Sequence, residues 1–505
     1  MMNNQRKAGV ILSYAGQAVQ IISGLVYTPI MLRLLGQSEY GLYQLVYSVV
    51  SYLGLLSLGF NSSYMRFYAR EKANDNDEGV SKLNGMFMLV FLSISLICIA
   101  CGSVMLLNIK RIFATGLNEE EYQKAHILMG MMVINLALSF PNSVFSCIVS
   151  SQERFVFQKL LLFFQALLNP FLTLPLLLMG YGSIGMVTIS TLLSVAVLVI
   201  NAYYCRKELK VKFTYKGLQL SLLKEMWFFT FFIFLNQIID QVNWSVDKFL
   251  LGRLTGTIAV AIYSVGGQIN SMYLQFSTSV SNVFVPQVNR VVAESGSDDE
   301  LSHIFIKVGR VQFMIMALIL TGFIYFGKPF IRHWAGYGYD DAYYVTLLLI
   351  IPVTIPLIQN IGIEIQRAKN KHKARSIVYF VIAVANILIS IPLIKYLGPI
   401  GAAIGTSVSL FVGNGIFINW YYYKRLNINI PEFWRNVLSF FPAILIAGIF
   451  GVVCLLFINF DSIILLGLGM LLYVCVYCVS MFYFGMNEYE KQLIRKPLLR
   501  IKKKK

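Results

Sequence analysis

The sequence predicts an all-α integral membrane protein of about 14 transmembrane helices, built as two parallel six-helix repeats plus two C-terminal helices around a central cavity. Three observations predict it. Hydrophobic residues make up 57% of the 505-residue chain and charged residues 13%, with a mean hydropathy of +0.67. The apolar residues come in runs of the ~20 that cross a bilayer core, without strand alternation, so helices are the spanning element. Finally, segments about 216 residues apart resemble one another.

The spans follow in order. Span 1 (8–30) begins behind Arg6 and Lys7 and lacks a small-residue cleavage site, so it reads as a retained span rather than a signal peptide. Span 2 (40–63) follows LLGQSEYG; spans 3 (84–107) and 4 (126–149) flank a polar connection; spans 5 (159–180) and 6 (183–205) meet at YGSIG. After the basic run RKELKVKFTYK come spans 7 (226–251) and 8 (257–285), then 9 (308–327) and 10 (342–364). RAKNKHKAR precedes spans 11 (376–397) and 12 (400–421), which meet at LGPIG; spans 13 (437–459) and 14 (462–484) precede a basic tail. The expected division is an N-lobe (1–205), a cytoplasmic linker (206–225), a C-lobe (226–425), spans 13–14 (426–485) and a cytoplasmic tail (486–505).

Lys and Arg set the orientation. With the N-terminus inside, cytoplasmic segments hold 33 of the 42 Lys and Arg and outside segments hold 9. Both termini of a multi-pass protein of the cell (cytoplasmic) membrane are therefore expected in the cytoplasm. The net charge of +18 then faces anionic membrane lipids rather than nucleic acid. Cys98-x-x-Cys101 and Cys475-x-x-Cys478 sit in apolar helices without nearby His, and read as small packing residues rather than a metal site. No cofactor is expected. The outside connections (about 108–125 and 328–341) are short and carry no catalytic cluster, which argues against an enzyme.

The repeat rests on agreeing offsets. Leu34-Leu35-Gly36 and Tyr47-Ser48-Val49 match Leu250-Leu251-Gly252 and Tyr263-Ser264-Val265. Gly182 and Gly185 match Gly398 and Gly401, Pro141 matches Pro356, and Pro175 matches Pro392. Six spans per copy is even, so the copies are related by an axis along the membrane normal, as in transporters whose lobes rock around a central site. The competing reading is that these prolines only kink packed helices.

Span 7 carries the chemistry. Asn236, Asp240, Asn243 and Asp247 are spaced four, three and four and share a helix face. An acid at mid-bilayer depth costs about 2.5–3.5 kcal/mol, so this seam faces protein or water. Span 8 adds Ser264, Gln268, Ser271, Gln275, Thr278 and Asn282; span 1 adds the milder Ser13, Gln17, Gln20 and Tyr27. Amides and hydroxyls suit a sugar, since an unpaired buried hydroxyl costs about 1–3 kcal/mol; interhelical packing is the competing use. Tyr43, Tyr47, Tyr52, Tyr263 and Tyr273 offer stacking faces. Arg33, Lys248 and Arg253 lie toward the outside, and Arg66, Arg70, Arg290 and Arg367 toward the cytoplasm. They fit gates for a phosphate-bearing substrate; snorkelling to headgroups is the alternative, and for Lys248 an ion pair with Asp247.

These residues resemble a family. LLGQSEYGLYQLVYSVVSYLGLLSLGF (34–60) and VDKFLLGRLTGTIAVAIYSVG (246–266), with YGSIGMV and LGPIGAA, are similar to Wzx-type polysaccharide flippases of the multidrug/oligosaccharidyl-lipid/polysaccharide exporter superfamily. The resemblance covers essentially the whole chain. It implies two six-helix bundles and movement of an undecaprenyl-pyrophosphate-linked oligosaccharide from the inner to the outer leaflet. A coupling proton or sodium ion, and glycosyltransferases or a polymerase of the same pathway, are candidate partners. The toxin-exporting relatives often carry an acid in span 1, and this span has none. A cation-coupled multidrug antiporter, a lipid II flippase and, last, a membrane polymerase or acyltransferase are the alternatives.

Overall fold

A chain crossing lipid must pair its backbone N–H and C=O groups with itself, and every regular element among the described residues is helical. The computed structural model describes residues 2–113, 116–217, 220–281, 284–294, 297–369, 371, 373–492 and 495. The side chains of 2–11, 14, 62, 220–223, 227–229, 231–233, 235, 236, 240, 244, 279, 280, 373 and 374 lie outside that description.

The helices run α1 (Met2–Val50), α2 (Phe60–Ala73), α3 (Asp77–Leu107), α4 (Ile109–Phe113), α5 (Glu119–Ser151), α6 (Phe155–Leu178), α7 (Gly182–Lys207), α8 (Leu220–Leu254) and α9 (Thr257–Ser281). They continue with α10 (Val285–Ala293), α11 (Asp298–Trp334), α12 (Asp341–Ile358), α13 (Asn360–Ala368), α14 (Lys373–Leu410), α15 (Asn419–Leu426), α16 (Ile430–Leu438), α17 (Phe441–Phe457) and α18 (Ile463–Ser480). A 3-10 segment (Ser51–Ser57) and two π-helical segments (Phe411–Ile418 and Met481–Gly485) complete the described elements.

Ten of the described helical stretches are long and apolar enough to cross a membrane. Two of the ten hold a pair of expected spans each. The first is broken at Gly36 (φ 74°, ψ 173°), between spans 1 and 2, and the other at Gly398 (φ 55°, ψ −130°), between spans 11 and 12. Expected spans 7 and 8 are the helices α8 and α9, which are not among the ten. Expected span 2 is not one helix. It passes through the 3-10 segment to left-handed Leu58 and Gly59, and resumes as α2.

Local signals set several ends. Asn118 caps α5 in a reciprocal pair with Glu121, and Ser297 caps α11. The repeat shows in the backbone at one matched pair, because Gly182 and Gly398 both adopt φ 55°. It does not at another: Gly36 breaks its helix, whereas Gly252 stays helical and the break comes at Gly256. Pro141, Pro175, Pro356 and Pro392 all lie inside helices.

The chain divides into two compact units, Met1–Ala261 and Ile262–Lys505. In the first, α1 packs along α6, and α5 along both α3 and α7. Small polar groups join α5 to α7: Asn135 Nδ2 donates to Ser190 Oγ (2.7 Å), Ser194 Oγ to Asn135 Oδ1 (2.8 Å) and Asn201 Nδ2 to Asn142 Oδ1 (2.8 Å). The 211–214 stretch of the expected linker is pinned to α3, with Thr214 N donating to the Ser81 carbonyl at 3.0 Å.

In the second unit a buried ion pair joins four segments. Arg310 of α11 donates Nε and Nη2 to the two carboxylate oxygens of Glu490 at 2.6 and 2.9 Å. The remaining donors reach the Asn436 carbonyl (2.7 Å), Ser439 Oγ (2.8 Å) and the Gly485 carbonyl (3.1 Å), and the guanidinium lies 4.3 Å from the Phe440 ring centroid. The two side chains are 5% and 2% exposed. Removing one partner of such a pair strands the other charge, at a cost of about 3–5 kcal/mol. Glu490→Ala should therefore lower the thermal midpoint of the detergent-purified protein sharply, and Arg310→Met with Glu490→Met should recover most of the loss. An unchanged midpoint in the single variant would show that the pair holds nothing together.

Candidate substrate and gate residues

In the first unit the expected seam lies on α8. Asp247 is 1% exposed and the Tyr52 phenol is within its electrostatic reach, so the acid faces protein and not lipid. Asn243 is half-buried. The side chains of Asn236 and Asp240 lie outside the described residues.

About a third of a turn round the helix runs a second polar stripe that the seam reading missed. Gln237, Gln241, Ser245 and Lys248 are spaced four, four and three. Gln241 Nε2 donates to Ser51 Oγ at 2.5 Å and to Ser245 Oγ at 2.8 Å, and half-buried Lys248 donates from Nζ to Gln44 Oε1 at 3.2 Å. Gln44 and Ser51 belong to α1 and the 3-10 segment, so this stripe binds expected span 7 to expected span 2. The arithmetic that finds the acid stripe finds this one too; its partners, some 200 residues away, carry no local signal. On the first half of α1, Gln17 is half-buried and Gln20 exposed.

A polar cluster gathers the starts of α5, α7 and α9 around the α1 kink. Glu39 accepts from Lys124 Nζ (2.8 Å), Ser183 N (2.6 Å) and Ser183 Oγ (2.8 Å). Burial works against this carboxylate, but those bonds outweigh it and hold the group below the usual carboxylate range. Glu121 accepts from Ser38 Oγ (2.5 Å) and Thr257 Oγ1 (2.8 Å). The helices approach closely here, since a Cβ at Gly41 would overlap the Thr257 carbonyl and one at Gly182 would overlap Glu39.

In the second unit, the expected seam of α9 is mixed. Ser264 is buried, Gln268 and Gln275 are half-buried, and Ser271 and Thr278 are exposed with their hydroxyls bonded to carbonyls of their own helix. Asn282 lies outside the described residues. Another side of α9 is fastened to its neighbours: Tyr273 OH shares a 2.7 Å bond with Thr354 Oγ1, and Ser277 Oγ donates to the Leu357 carbonyl at 3.0 Å. Tyr273 and Tyr263 are thus packed inside protein, while Tyr47 is exposed.

Arg33, Arg66, Arg253 and Arg290 all expose their side chains, as headgroup or gate cations require. Arg70 pairs with Glu225 (3.2 Å) and Arg367 with Glu364 (2.8 Å).

The comparisons with known proteins agree on a class. A family profile described as "Polysaccharide biosynthesis protein" matches residues 7–292. A Shigella flexneri protein named "Putative O-antigen transporter" is 20% identical over 421 residues, which cover 82% of this chain and 96% of that one. Among solved structures, the lipid II flippase MurJ in its inward closed conformation superposes with a TM-score of 0.74 at 15% identity, covering 97% of this chain and 100% of MurJ. An inward-facing multidrug resistance MATE family transporter of the MOP superfamily gives 0.63 at 14% identity, covering 83% and 99%. These likenesses share one all-helical transporter fold, and the Wzx-type resemblance read from the sequence points the same way. The profile match takes in α1 through α9 and most of α10, more than half of the chain. The chain is a multi-pass membrane transporter, not an enzyme, and it belongs to the polysaccharide biosynthesis protein family.

Proposed function

We propose that the chain moves an undecaprenyl-pyrophosphate-linked oligosaccharide from the inner to the outer leaflet of the cytoplasmic membrane, by alternating access, for cell-surface polysaccharide synthesis. The observation that carries this reading is the family match, which takes in the amide- and charge-bearing faces of α8 and α9. Half-buried Asn243, Gln268 and Gln275 offer the paired donors and acceptors that sugar hydroxyls need. The exposed arginines Arg33, Arg66, Arg253 and Arg290 suit a diphosphate. On this reading the chain has fourteen spans, both termini lie in the cytoplasm, the tail rests on anionic lipid, and Asp240 or Asp247 carries a coupling proton or sodium ion.

The buried acid Asp247 and the likeness to a MATE transporter favour a second reading, a cation-coupled drug antiporter. The likeness to MurJ favours lipid II as cargo. Translocation of labelled lipid-linked glycans in proteoliposomes decides among them: flipping of an O-antigen-type glycolipid supports the first reading, while ion-driven efflux of an organic cation without glycolipid movement hands the case to the antiporter.

Three outcomes follow from the reading. Cysteines replacing Ser297 and Gln492 should resist an impermeant thiol reagent added outside, while one replacing Asn118 should react; labelling at Ser297 would overturn the topology. Asp247→Ala and Lys248→Ala should each slow flipping about tenfold, the loss of one ~1.4 kcal/mol contact, at normal abundance; normal rates in both would make the stripes packing alone. Lastly, the anionic cargo moves outward with an inside-negative potential, by ~2.3 kcal/mol per charge per 100 mV. The initial flipping rate should therefore rise when a potassium gradient with valinomycin sets that potential at zero proton and sodium gradients. A flat or slower response would sink the electrical argument.

A further inference from the structure

The second unit carries an apolar groove of about 360 Å³ between the first half of α14 and the π-helical segment that follows it. This volume lies in the range of small-ligand sites. Val378, Ile382 and Ile389 line one wall, and Val412, Gly413 and Phe417 the other. The floor exists because position 413 is glycine: a Cβ there would overlap the Ile382 side chain. The π-helical winding of Phe411–Ile418 displaces this wall from regular α geometry, a distortion frequent at functional sites. Ser409, 4% exposed, also lines the groove, and its hydroxyl has no hydrogen-bond partner.

One end of the groove is basic. Arg375 precedes Val378 and Ile382 by three and seven residues, so it stands on the groove face of α14. Its guanidinium lies 4.8 Å from the Tyr379 ring centroid, and Tyr379 OH donates to Asn414 Oδ1 at 2.9 Å across to the other wall. Lys424 stands exposed two turns beyond Phe417, and Lys371 Nζ bonds the neighbouring Arg425 carbonyl at 2.8 Å. Along α14 the groove runs from Ile377 to Ile389, about 18 Å at 1.5 Å per residue. An apolar groove of this length with several cations at its mouth fits a long lipid chain with a multiply charged head. A phospholipid brings two chains and less charge.

We propose that this groove docks the polyisoprenyl chain of the lipid-linked substrate, with its diphosphate held at the mouth by Arg375 and Lys424. The inference deepens the flippase reading and rests on it, and in the orientation of that reading the basic mouth faces the cytoplasm, where the substrate is loaded.

The test uses the full-length protein in lipid nanodiscs and a benzophenone-bearing farnesyl diphosphate as photoprobe. On the unaltered chain, crosslinks should map to 377–389 and 408–417, and undecaprenyl diphosphate should abolish them while phosphatidylglycerol at equal concentration leaves them. Val381→Trp, at a groove position 56% exposed, should lower labelling roughly tenfold. Arg375→Gln with Lys424→Gln should lower labelling by the diphosphate probe similarly and leave labelling by the matching benzophenone farnesol unchanged. Crosslinks mapping elsewhere, or equal competition by phosphatidylglycerol, would overturn the proposal, and the map on the unaltered chain decides even if Val381→Trp fails to fold. Glycolipid flipping in the same preparation separates the two ideas. Flipping with crosslinks elsewhere removes the groove and leaves the flippase; crosslinks in the groove without flipping support the lipid site and remove the flippase.

Discussion

Hydrogen-bond satisfaction out of water governs this molecule. A backbone group left unpaired in hydrocarbon costs several kcal/mol, which turns each apolar run into a helix and confines breaks to places with a local remedy. Gly36 and Gly398 break their helices at connections between expected spans. The same constraint acts on side chains. Asn135, Asn142 and Asn201 sit in apolar helices, and each amide bonds across to the neighbouring helix. Arg310 is the extreme case, a guanidinium with donors spent on one carboxylate, two carbonyls and a hydroxyl.

Much of the fold is legible because bilayer thickness imposes a length on each apolar run, and glycine marks the sharp turns between runs. The matched Gly182 and Gly398 could be paired from sequence, and they share a positive φ that an L side chain would strain. Span 2 reads as one helix because hydropathy is blind to winding: SYLGLLSLGF is apolar throughout, yet it holds the 3-10 segment and left-handed Leu58. The π segment at Phe411–Ile418 is invisible for the same reason.

The candidate site was legible in part. Spacing puts Asp247 on a stripe, and the cost of an acid in the bilayer turns that stripe toward protein or water, but spacing gives a face and not a partner. The second stripe of α8 meets Gln44 and Ser51, 204 and 190 residues away in sequence, and only the fold brings them together. In sequence Tyr273 reads as a stacking face, yet a hydroxyl in apolar surroundings is drawn to a partner, and Thr354 supplies it inside the packed core. Exposure of Arg33, Arg66, Arg253 and Arg290 follows from the hydration of charge, and is shared by gate residues and headgroup anchors alike.

The separation of Arg310 from Glu490 has a consequence for biogenesis. The carboxylate that neutralises the guanidinium is synthesised 180 residues later. At about 5–20 residues per second, the ribosome leaves that arginine without its counter-charge for roughly ten to forty seconds. During this interval the α11 guanidinium lacks the carboxylate that neutralises it in the folded unit, so the packing around it is completed only after Glu490 has been made.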